Sequence, residues 1–178
     1  MESHAFTTYD QVIQACQVVF EKKTRDYGTA WRILRLPTIT DQLMIKAQRI
    51  RTIQEKGKQC IADGIAAELM GIINYSIIAL IQIDLPQAYP LEMAYEDLEP
   101  RYEAVVQQTK TLLDAKNHDY GEAWKGMRLS SIIDIILMKL LRVKRIEDNQ
   151  GNTLVSEGVA ANYQDILNYA VFSLLKLS

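Results

Sequence analysis

The chain has 178 residues, 48% of them hydrophobic and 24% charged, an ordinary globular composition that argues against intrinsic disorder. Its 20 Lys and Arg against 22 Asp and Glu give a formal net charge of −2, so no basic field exists to hold a duplex phosphate backbone. A single nucleotide or other phosphate-bearing small molecule needs only a local basic cluster and stays open as a partner.

The N-terminal Met-Glu-Ser-His has no basic stretch followed by an apolar one, so no signal peptide is expected. Thr8, with Gln11 three residues on, reads as a helix N-cap, and Tyr9, Val12, Ile13, Cys16, Val19 and Phe20 then share one 3.6-period face. That helix can stop at Gly28, inside the segment Asp26-Tyr27-Gly28-Thr29-Ala30-Trp31. A second helix is predicted from near Pro37 to Gly57, and a third from about Cys60 to Ile83. The apolar run Leu69 to Ile81 falls short of the ~20 residues a membrane span needs, so it reads as a core helix and no membrane partner is expected. Pro86, Pro90 and Pro100 break up the next stretch, which reads as a linker over 84–100.

The pattern then recurs: a helix from near Pro100 to Gly121, another from Ser130-Ser131 to the turn at Asn149-Gln150-Gly151-Asn152, and a third from Leu154 to Leu177. Sliding the chain by 93 positions gives 13 identities over the 34 pairs from Phe20 to Ile53, including Lys23/Lys116, Trp31/Trp124, Lys46/Lys139 and Arg49/Arg142. After a shift of one more residue, Gly64, Ile72, Asn74 and Tyr75 pair with Gly158, Ile166, Asn168 and Tyr169. No stretch alternates polar and apolar residues as a strand would, so the fold class is all-α: a tandem duplication of a three-helix unit, with copies over 1–83 and 101–178. A unit this small buries its apolar face poorly alone, so the copies should pack about an intrachain pseudo-twofold axis, as a homodimer would. Homo-oligomerisation of the whole chain stays compatible with this. Cys16 and Cys60 are unclustered, which suits a reducing cytoplasm.

Charges on apolar helices are the candidates for chemistry. The stretch Ile132 to Arg142 is apolar nearly all round, as a buried helix would be, yet Asp134, Lys139 and Arg142 share one side of it. They read either as a structural salt-bridge network or as a pocket where Lys139 and Arg142, with Lys46 and Arg49 opposite, neutralise phosphate. On the third helix Glu157, Asp165 and Asn168 form a similar stripe. Glu157 and Asp165 are about 12 Å apart along such a helix, too far to chelate one ion together, so a Mg²⁺ site would need a carboxylate from another helix. Asp119 and Asp134, with Asp26, Asp41 and Glu68 in the first copy, are the donors at hand. The Asp-Tyr-Gly ends read either as helix caps or as cleft mouths where Tyr27, Trp31, Tyr120 or Trp124 could stack on a base. His4 and His118 are isolated, and no Gly-rich phosphate loop occurs.

The order Lys-x-x-Asp-Tyr-Gly-x-Ala-Trp, then Lys-x-x-Arg, then Glu followed by Asp and Tyr, resembles the nucleotide modification associated domain 1 family. Here those positions are Lys116, Asp119, Tyr120, Gly121, Ala123, Trp124, Lys139, Arg142, Glu157, Asp165 and Tyr169, and the first copy matches with Gly71 where the acid is expected. A fainter similarity is to MazG-type all-α nucleotide pyrophosphatases, whose Glu-x-x-Asp motif each copy half retains, as Glu68-x-x-Gly71 and Asn162-x-x-Asp165. The resemblance implies a cytoplasmic nucleotide-binding protein tied to nucleotide or base modification, in its enzymatic form a Mg²⁺-dependent phosphohydrolase with a cleft between the copies. Asp119, Glu157 and Asp165 would hold the metal, Lys139 and Arg142 would face the phosphates, and Trp124 or Tyr120 the base. The rival is a non-catalytic helical module for regulation or interaction. Any cation site on the third helix is expected to be asymmetric, favouring Asp165 over Gly71.

Overall fold

The computed structural model describes residues 5–57 and 64–178, and only the backbone of Tyr120. His4, Cys60, Asp63 and the expected start of the third helix lie outside the described residues, as does the Tyr120 side chain. Thr8 opens α1 (Tyr9–Tyr27), its hydroxyl accepting from the Gln11 amide at 3.2 Å as the capping signal requires. The helix stops at Gly28, and a 3-10 turn, Ala30–Ile33, then folds Trp31 inward to 8% exposure. Next, α2 (Leu36–Lys56) starts with Pro37 in its first turn, where the missing amide is no loss, and ends at a left-handed Gly57. After it comes α3 (Gly64–Asp84). Copy two repeats the order as α4 (Tyr95–Tyr120), a 3-10 turn Ala123–Gly126, α5 (Leu129–Asp148) and α6 (Val159–Leu177). Among the described residues there is no strand, and the chain is all-α.

α2, α3, α6 and α5 pack in that cyclic order as a four-helix bundle, and α1 and α4 lie against α3 and α6. Ile39, Leu43, Ile73, Ile77, Ile136 and Ile166 are fully buried where the four meet. By length and composition α3 could cross a membrane, but Leu69, Ile72, Ile73 and Ile77 are all spent in this core. Contacts between the copies come in exchanged pairs. The Tyr9 hydroxyl donates to Asn168 Oδ1 at 2.7 Å, and the Tyr102 hydroxyl to Asn74 Oδ1 at 2.8 Å. Arg51 lies 3.7 Å from Asp134, and Lys144 lies 3.4 Å from Asp41. Tyr9/Tyr102, Asn74/Asn168, Arg51/Lys144 and Asp41/Asp134 are all aligned pairs of the repeat, so each contact recurs with the copies swapped, as a twofold relation would produce. Burial raises both tyrosine pKa values far above the ordinary phenol, so these hydroxyls keep the proton they donate.

Three expectations need correction. The helix read as starting at Pro100 reaches back to Tyr95, into the segment read as linker, and keeps Pro100 inside it at the loss of one amide donor. The last helix starts at Val159 rather than Leu154, because Gly158 adopts an extended N-cap conformation and Thr153 to Ser156 form their own turn, closed by Thr153 Oγ1 donating to Ser156 O at 2.7 Å. Glu157 therefore precedes α6 instead of sharing a helical stripe with Asp165. Nor is α5 buried all round: it packs on α2 and α6 but leaves Asp134, Met138, Leu141 and Arg142 exposed. Asp134 and Arg142 thus stay in contact with water and owe no partner for burial.

Candidate functional site

The end of α1, the 3-10 turn, the middle of α2 and the first half of α3 line a cavity of about 620 Å³, wholly within copy one and open to solvent past Tyr27, which is 59% exposed. It does not lie between the copies as the sequence reading expected. Lys23 and Tyr27 stand one turn apart on α1 and line it, with Trp31 from the turn, Lys46 from α2, and Gly71 and Tyr75 from α3. The Gly28 break is what swings Trp31 under the end of α1: its amide closes on Thr24 O at 2.7 Å before the chain turns away. The Thr29 hydroxyl then anchors the turn, donating to Leu91 O at 2.5 Å.

The polar atoms of this cavity differ in how far they are already used. Asn74 is spent, its amide nitrogen donating to Cys16 O at 3.0 Å while its oxygen accepts from Tyr102. Glu68 holds Arg49 Nη1 at 2.5 Å and Lys46 Nζ at 3.3 Å. Lys46 also lies 5.7 Å from the centre of the Tyr75 ring, within cation–π range. Lys23 has no carboxylate partner among the described residues, and the buried Trp31 Nε1 has no hydrogen-bond partner.

Copy two fills the equivalent space with its own side chains. Asp165, aligned with Gly71, accepts from Lys116 Nζ at 2.7 Å and Lys139 Nζ at 2.8 Å. Its burial opposes ionisation, but the two lysine hydrogen bonds outweigh that and hold the carboxyl pKa below its usual value. Phe172, aligned with Ile78, stacks on Trp124 with ring centres 4.5 Å apart and planes 2° from parallel, and Tyr169 meets it edge-on at 6.0 Å. Lys139 and Arg142, with Arg145 and Glu157, line a separate open groove beside the loop before α6.

Of the residues singled out in the sequence, the structure thus gathers Lys46, Tyr27 and Trp31 at one cavity, with Arg49 behind Lys46 on Glu68. It engages Lys139 with Asp165 and Trp124 with Phe172. The carboxylates do not converge. Asp26 and Asp119 are exposed at the helix ends, Asp119 beside His118 Nδ1 at 3.3 Å, and Asp134 faces Arg51. Among the described residues no three His, Cys, Asp or Glu side chains form a group that could hold a metal ion. Lys23, Tyr75 and the space over Gly71 escaped the sequence reading of the site. The signal for them was the repeat alignment itself, with Gly71 opposite Asp165 and Ile78 opposite Phe172.

The sequence model of the nucleotide modification associated domain 1 family matches the chain twice, over residues 23–83 and 116–177. Each matched segment runs from the lysine at the end of the first helix to the end of the third. No curated protein and no solved structure matches the chain.

Proposed function

Since the chain belongs to the nucleotide modification associated domain 1 family, we propose that it binds a nucleotide in the copy-one cavity. Tyr27, Trp31 and Tyr75 supply aromatic faces for a base, and Lys23 and Lys46 supply positive charge for phosphate. The observation that carries this reading is the conjunction, in one cavity, of aromatic walls and a lysine without an acidic partner among the described residues. The volume lies within the roughly 300–1,000 Å³ usual for small-ligand sites. The activity proposed is binding, since Glu68 and Asp165 are each committed to two cations.

Thermal unfolding of the full chain against the common ribonucleoside and deoxyribonucleoside 5′-monophosphates tests it. A ligand that binds only the folded state raises the melting temperature as its concentration passes Kd. At least one nucleotide should do so for the native chain, and Lys46→Glu should abolish the shift. A flat response to every nucleotide would remove the reading.

A further inference from the structure

We infer that the anionic group of the ligand docks over Gly71, between Lys23 and Lys46, in the place that the Asp165 carboxylate fills in copy two. This rests on the proposed nucleotide site and adds where its phosphate sits and why one copy alone takes it.

The two copies are one arrangement with and without its central carboxylate. In copy two, Lys116 from the end of the first helix and Lys139 from the second close on one oxygen each of Asp165, whose side chain is only 13% exposed. In copy one the same two lysines recur as Lys23 and Lys46, but the residue between them is Gly71, which supplies no oxygen. A Cβ placed on Gly71 would stand 3.2 Å from both Cε and Nζ of Lys46, so the Lys46 side chain lies directly across the position from which Asp165 projects in copy two. Glu68 draws Lys46 from the side at 3.3 Å, and the ammonium, with three donors, keeps capacity for a second acceptor. A phosphate monoester presents the same two-oxygen edge as a carboxylate with more charge, and it can engage both lysines as Asp165 does. The neighbouring change agrees in direction: Ile78 in place of Phe172 leaves the Trp31 side of the cavity without the stacked ring that covers Trp124. Copy two carries an internal occupant, and the chain is expected to bind one ligand.

Isothermal titration of the full chain with nucleoside 5′-monophosphates, the matching nucleosides and inorganic pyrophosphate tests the inference. Native protein should bind one monophosphate per chain, about tenfold or more tighter than its nucleoside, the scale of charge-assisted contacts. Gly71→Asp should remove that preference and abolish pyrophosphate binding while the melting temperature holds or rises, because it rebuilds the ion pairs of copy two. Gly71→Ala, which adds the Cβ without the charge, should lose far less. Should Gly71→Asp fail to fold, Lys23→Ala carries the test, since this exposed residue can change without unfolding the chain and must weaken monophosphate binding by about tenfold. Monophosphate affinity unchanged in Gly71→Asp, or in Lys23→Ala, overturns the inference. Equal affinity for nucleoside and monophosphate overturns it too while leaving base binding in the cavity intact, whereas no binding of either removes the nucleotide reading itself.

Discussion

Asp165 stands out in the sequence because an acid on an otherwise apolar helix must be compensated, and both a cation and a salt bridge could do that. What the sequence could not supply was the direction of approach: Lys116 and Lys139 lie 49 and 26 residues away, and only packing brings them to one carboxylate. The pair has a signed pH dependence. A carboxyl whose pKa is lowered by folding adds stability above its unfolded value, about 3.9, and that stability is lost as pH falls through the lower folded value. Asp165→Asn should therefore destabilise by about 1–2 kcal/mol at pH 7, less than a fully buried pair because Lys116 is 44% exposed. Urea unfolding of both proteins across pH 2.5 to 7 checks it, and the gap should close toward the acid end. A gap of equal size at all pH values would show that the carboxylate charge is not what the lysines stabilise.

At the scale of elements, the helix ends were the most legible features, since glycine caps, prolines and hydroxyl N-caps announce themselves locally. The errors fell where one local signal had two meanings. Pro100 reads as a helix start, yet α4 begins at Tyr95, because Tyr95 and Leu98 bury against the core and their packing outweighs one missing donor. Gly28 and Gly121 do close their helices, but as φ 66°, ψ −151° and φ 65°, ψ −159°, an extended positive-φ form instead of the left-handed conformation usual at a helix C-terminus. Side chains other than hydrogen scarcely tolerate this region, so Gly28→Ala and Gly121→Ala should each cost about 1–3 kcal/mol. The two costs should be similar, because the only atom a Cβ on Gly28 would crowd, Glu92 Oε2 at 2.5 Å, is the free end of an exposed side chain that can turn aside, and nothing lies within 4 Å at Gly121. Chemical denaturation should give the two variants equal losses, and Glu92→Ala should leave that of Gly28→Ala unchanged.

For the molecule as a whole, the duplication and the all-α class were readable because identities at a fixed offset survive independently of packing. The position of the cavity was not, since it depends on which of two aligned side chains is small. The copies hold each other through Tyr9 to Asn168 and Tyr102 to Asn74, so neither outer helix is fastened to its own copy alone. Tyr9→Phe and Tyr102→Phe each strand a buried amide oxygen and should each cost about 1–3 kcal/mol. Equilibrium unfolding should stay a single transition in both. Separate transitions would mean that the copies are independent domains.

This exchange of fastenings has a consequence for how the two halves can change. In a symmetric dimer of identical chains every substitution appears on both sides at once, so opening a cavity by losing a carboxylate would also delete the ion pairs that the carboxylate supports. Joining the halves in one chain removes that constraint. Gly71 offers no carboxylate between Lys23 and Lys46, and Lys46 turns to Glu68 instead, while Asp165, in the other half, keeps Lys116 and Lys139 closed. One half can hold the architecture while the other specialises, and the linker between them is what makes that division of labour heritable.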